Sequence, residues 1–183
     1  MIKCIVLVLA LFVQSSAFCQ ELDRSILGYE DDKSFWLNIP GGWNQDSDIA
    51  NRFGTIFFLI PEGHDFNSAP TVIYASLYKD KKLKDAVSLD KKKFSQKDPE
   101  IAISEEYKIK TPKGKEIIYL VFKSKILKSQ PYEAIAYIEE DGVVFTIALS
   151  ALTEKVFQEM LPTYKKMLES YDVSELKVTD KMK

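Results

Sequence analysis

The sequence is poor in the residues on which most catalytic chemistry depends. Its 183 residues include one histidine, His64, and two cysteines, Cys4 and Cys19, both close to the N-terminus. A serine triad or a histidine-based metal site would have to run through His64, which sits in a predicted loop beside Asp65 with no G-x-S-x-G nucleophile turn to serve. Arginine occurs only as Arg24 and Arg52, and the formal net charge is −2. That balance offers no general attraction to nucleic acid. Glycine is equally sparse, at seven residues, and none spells a phosphate loop. The adjacent pair in WLNIPGGWN, Gly41-Gly42, is followed by Trp43 and polar residues instead of a helix, so it reads as a turn that Trp43 pins to the sheet. No internal repeat, low-complexity tract or coiled-coil heptad is present.

Long apolar runs are missing as well, apart from one at the start. MIKCIVLVLALFVQSSAFCQ places Lys3 before an apolar stretch from Cys4 to Val13 and then small residues, the pattern of a secretory signal peptide. The stretch is about half the roughly 20 residues a membrane-spanning helix requires. Ala17 and Cys19 fit a cleavage before Gln20, Ser15 and Ala17 fit one before Phe18, and Phe18 argues against Cys19 being the acylated residue of a lipoprotein. With 1–19 removed the exported chain has no thiol, which excludes disulfides, cysteine metal sites and cysteine nucleophiles. It must be held by its core alone, and about 160 residues suit one domain.

After a polar leader over 20–33, the chain alternates or runs apolar in short segments. Phe35, Leu37 and Ile39 form one face of a strand that Pro40 ends. Arg52 to Ile60 and Thr71 to Tyr78 predict two further strands, antiparallel across a loop. Asp80 is the expected cap of a helix carrying Leu83, Ala86, Val87 and Phe94 on one side, closed at Asp98-Pro99. Ile101 to Thr111 alternates; IIYLVF within Lys115 to Lys125 does not. Tyr132 to Glu139 and Val143 to Leu149 flank Asp141-Gly142, a hairpin signal. A last helix starts at Thr153 and carries Val156, Phe157, Met160, Leu161, Tyr164, Met167, Leu168 and Tyr171 at helical spacing. Pro162 predicts a kink there, or two short helices. A polar tail covers 173–183. Strands apolar on both faces, IIYLVF and VVFTIAL, demand cover on both sides of one sheet. The expected class is therefore α+β, an antiparallel β-sheet sandwiched between helices.

The segments FWLNIPGGW, FFLIP, PTVIYASLY, YEAIAYI and GVVFTIALSA, with the final helix through MLESY, together resemble the PsbP-like fold. That fold is shared by photosystem II extrinsic subunits, Mog-type Ran-binding proteins and small exported bacterial proteins such as the DcrB group. The resemblance spans 34–172 and implies a three-layer α/β/α domain with a role built on binding, without catalysis. It transfers no functional residue. Glu105-Glu106 and Glu139-Glu140-Asp141 are the carboxylate clusters, and adjacent strand residues point to opposite faces, so both read as solvated edges. No catalytic, cofactor or metal residue is expected. Between Lys79 and Lys97 eight lysines stand against three aspartates, which makes Lys82, Lys84, Lys91, Lys92 and Lys93 the candidate surface for an anionic partner. The expectation is an exported, monomeric binding or accessory protein acting on a protein or envelope component. The alternative is a carrier of a small molecule or lipid held between sheet and helix, and a hydrolase ranks last. A carrier should show a cavity of roughly 300 Å³ or more with converging polar groups.

Overall fold

The computed structural model describes residues 23–30, 33–129 and 131–175. The expected signal segment 1–19, the expected cleavage point and the tail beyond 175 lie outside the described residues. In chain order the elements are β1 (Asp23–Glu30), β2 (Lys33–Ile39), β3 (Trp43–Gln45), α1 (Ser47–Phe53), β4 (Phe57–Pro61), β5 (Thr71–Lys79), α2 (Leu83–Lys97), β6 (Ala102–Ile103), β7 (Tyr107–Lys110), β8 (Glu116–Lys123), β9 (Tyr132–Glu140), β10 (Val143–Ala151), α3 (Glu154–Glu169) and β11 (Asp172–Glu175). Every pairing is antiparallel.

The main sheet runs β3-β4-β5-β10-β9-β8-β6, with β7 also on β8. Its centre is β10, paired along its full length with β5 and with β9. All nine β10 residues are buried, which a strand covered on both faces requires. The β9–β10 hairpin turns at Asp141 and Gly142, with φ of 42° and 87°. Both residues are left-handed, as a two-residue hairpin turn demands, and glycine meets that demand without steric cost. At the Pro40-Gly41-Gly42 corner Gly42 has φ 78°, and its carbonyl accepts the Glu62 N–H at 2.9 Å. Trp43 packs partly buried against the core. This corner is a turn joining two strands.

Odd-numbered residues of β10 and β5 share one face with Ile117, Tyr119 and Val121 of β8 and with Ala134, Ala136 and Ile138 of β9. Phe157, Tyr164, Met167 and Leu168 of α3 close over them, joined by Phe35 and Leu37 of β2. The strand SFWLNIP therefore belongs to a separate small sheet, β1-β2-β11, that shares this cover with α3. The cover on this face is a helix and a sheet where a helix alone was expected. Residues read as a leader and part of the polar tail are the outer strands of that small sheet, one on each side of β2. On the opposite face α2 covers β8 and β9 through Ala86 and Val87, and α1 covers β4 through Ile49 and Ala50. Both faces are covered, and the sheet lies between layers.

Three local expectations change. Arg52 to Phe53 is helical, because Asp46 caps α1 by accepting the Ile49 N–H at 2.9 Å and Gly54 ends it at φ 64°. Asp80 does not cap α2: it takes φ 55° in the preceding turn, and Lys82 occupies the cap position with no side-chain bond. Of the two alternatives at Pro162, two short helices do not form: the proline lies inside one continuous helix.

Candidate binding site

The two helices on the second face do not meet over β5 and β10. Beside the end of α1 lies a cavity of about 650 Å³, lined there by Phe53 of α1, Phe58 of β4 and Phe66 of the loop after it. Val72, Tyr74 and Ser76 of β5 and Ser150 of β10 also line it. α1 is short because Gly54 stops it, and α2 is carried toward β9 by the turn at Asp80.

The four rings on one side form a continuous aromatic wall. Phe66 is 5.8 Å from Phe58 and 5.3 Å from Phe53, and Tyr74 stacks on Phe58 at 5.9 Å. Of the five large apolar side chains left exposed among the described residues, Phe53, Phe66 and Leu152 line this cavity. Exposed apolar surface is thus concentrated at its mouth, which is the signature of a contact surface. No lining residue carries a charge. Thr55, Thr71, Ser76, Ser150 and Asn67 supply polar groups.

Behind the wall is a buried polar cluster. Glu133 of β9 is fully buried, and its Oε1 accepts the Tyr74 hydroxyl. Its Oε2 has no hydrogen-bond partner. Burial drives the Glu133 carboxyl up to about 7, against smaller opposing effects of the Tyr74 hydrogen bond and the Lys97 charge. Burial, and then the Glu133 charge, hold the Tyr74 hydroxyl well above the usual phenol range. Further along the same face Asp90 of α2 accepts the Tyr78 hydroxyl at 2.5 Å and the Tyr137 hydroxyl at 3.2 Å. Lys93 Nζ lies 2.7 Å from the Tyr78 oxygen and 3.4 Å from Asp90. These bonds fasten α2 to β5 and β9.

The residues singled out from sequence are scattered. His64 is exposed in the loop after β4, at a separate hollow of about 330 Å³ with Asp46 and Asp48. Asp46 is committed there to capping α1. Glu105, Glu106 and Glu139 are exposed, and Glu140 is bound to Lys115 at 2.6 Å. Among the described residues no group of three or more His, Cys, Asp or Glu side chains is placed to hold a metal ion, and no helix is long and apolar enough to cross a membrane. The α2 lysines do not form one stripe. Lys84 and Lys91, seven apart, fall on one flank of the helix; Lys82 and Lys93, eleven apart, fall on the other, with Lys92 between them on the outer side. Lys93 is engaged with Asp90 and Tyr78.

Sequence reasoning missed Glu133 and the cavity itself. Glu133 had a visible signal: an acid in register with Ile135 and Tyr137 on an apolar face of a strand buried on both sides. The cavity had none, since its wall is assembled from the end of α1, two strands and loops far apart in sequence.

The architecture is the PsbP-like α+β fold, an antiparallel sheet between covered faces. Among solved structures the chain is similar to CyanoP, the cyanobacterial PsbP of Synechocystis sp. PCC 6803, with a TM-score of 0.56 and 12% identity over 88% of this chain and 99% of that one. It is also similar to Mog1p, a Ran-binding protein of Saccharomyces cerevisiae, with a TM-score of 0.50 and 10% identity over 84% of this chain and 95% of that one. No family model and no curated protein matches the sequence. At these identities the likeness is one of fold.

Proposed function

We propose that this is an exported, non-catalytic, monomeric binding protein that takes a small, largely apolar ligand in the cavity between α1 and the sheet. One observation carries the reading: about 650 Å³ of uncharged, aromatic-walled space opens where exposed phenylalanines gather. The space lies beside the end of α1; at the final helix a smaller hollow of about 350 Å³ runs along Phe157, Leu161 and Lys165, while Tyr164, Met167 and Leu168 pack into the core. Catalysis is disfavoured because His64 and the exposed carboxylates stand apart from this space and from one another. Export rests on the N-terminal pattern, and mass spectrometry of the mature chain should find a start at Gln20; an acylated Cys19 would replace free export by anchoring. Lys84, Lys91 and Lys92 would face an anionic envelope component on the outside of α2.

The direct test is ligand capture. Exposing the purified protein to a fluorescent apolar probe should give saturable binding, and Val72→Trp, which fills the cavity, should weaken it at least about tenfold. Equal binding by a folded Val72→Trp variant would move the site elsewhere.

A further inference from the structure

The cavity wall is uncharged, yet two of its residues, Ser150 and Tyr74, adjoin a buried carboxyl group. Glu133 is the cross-strand neighbour of Ser150, and Ser150 lines the cavity. Neighbours of this kind on one face hold their Cβ atoms about 5 Å apart. Tyr74, another lining residue, extends across β10 to donate to Glu133 Oε1. It can do so because its own partner on β10 is the small Ala148. Glu133 Oε2 is the one buried side-chain oxygen or nitrogen among the described residues that has no hydrogen bond. An unmet buried acceptor is costly, and more so when charged. A fold satisfied elsewhere that leaves one such atom beside a cavity has a place for a donor from outside.

Building on the binding reading above, we infer that Glu133 is the polar anchor of this cavity, and that the ligand is an apolar molecule bearing a protonated amine. The ammonium donates to Oε2 at the Ser150 end, and the apolar body lies along Phe58 and Phe66. Charge selects the amine. No lining side chain is ionic, and Glu133 is the carboxyl paired across the strands with the lining Ser150. The other groups acting on it are Tyr74 from β5, and Lys97 and Asp90 from α2. An arriving ammonium supplies a charge-assisted bond and favours the ionised carboxylate. A carboxylate ligand would put a second anion there.

The test is calorimetric titration of the mature chain at pH 6.5 with decylamine, decanol and decanoate, each kept below its micelle concentration. The amine should bind at least about tenfold tighter than the alcohol, and the acid weakest. Its binding should also release protons from Glu133, read from the dependence of the heat on buffer ionisation enthalpy. Glu133→Gln should lower the amine to the affinity of the alcohol without changing the alcohol. Equal affinities, an amine preference that survives Glu133→Gln, or no proton release would overturn the anchor and leave the binding reading intact. No binding by any of the three would overturn both. If Glu133→Gln fails to fold, proton release in the wild-type protein decides the matter.

Discussion

A single carboxyl group makes this protein's stability depend on pH in an unusual direction. Glu133 rises from an ordinary 4.5 to about 7 because folding removes it from water. Between those values the folded chain holds a proton that the unfolded chain has lost, so stability falls as pH rises. The contribution is complete below about 4.5 and gone above about 7. The interval corresponds to about 3 kcal/mol. Urea unfolding of wild type and Glu133→Gln at pH 5 and pH 8 should therefore show a difference curve that moves in favour of the variant as pH rises. A difference independent of pH would mean that Glu133 titrates as an exposed acid. Residues of this kind are only half legible in a sequence. The strand YEAIAYIE names an acid on a buried face, but whether a lysine or a tyrosine meets it depends on β5, 59 residues away.

At the scale of elements, the segments with a strong period were readable and the short ones were not. α3 was expected from its apolar stripe, and Phe157, Tyr164, Met167 and Leu168 are its buried side. The division into two short helices at Pro162 is not realised because the stripe crosses the proline and packs on both sides of it. Pro162 and Gln158, whose carbonyl loses its partner, are both exposed, so water can meet the freed oxygen. Replacing Pro162 by Ala restores that hydrogen bond and should raise stability by about 2 kcal/mol, seen as a higher thermal midpoint. An unchanged midpoint would show that the helix has already relaxed around the ring. α1 was hidden for the opposite reason. Seven residues carry too little periodicity to register, and the capping pair Asp46 and Gly54 was the only local sign. β6 and β7 likewise read as one alternating strand, and the backbone parts them at Ser104, which accepts the Val121 N–H at 2.9 Å.

For the whole molecule, the deciding feature is that the main sheet is apolar on both faces, so each face needs cover. One cover includes β2, which is held at its edge by β11. Val173 of β11 packs partly against the core, and Asp172 pairs with Lys113 at 2.6 Å. A chain ending at Tyr171 should lose about 1–2 kcal/mol of stability from the uncovered apolar surface, measured as a lower urea midpoint with the α-helical circular dichroism intact. No loss would make β11 an ornament of the fold. The other cover is incomplete, and its gap is the cavity.

The sequence by itself determined the strand segments, the two long helices, the dry sheet and the scarcity of catalytic side chains, because each of these depends on residue type and on periods of two or 3.6 within a short window. Only the tertiary structure decided that the first predicted strand leaves the main sheet. The same holds for the cavity beside the end of α1 and for the pairing of Glu133 with Ser150 at its wall. Those outcomes depend on where elements distant in sequence come to rest, and a helix end sets the shape of a cavity without any residue having to announce it.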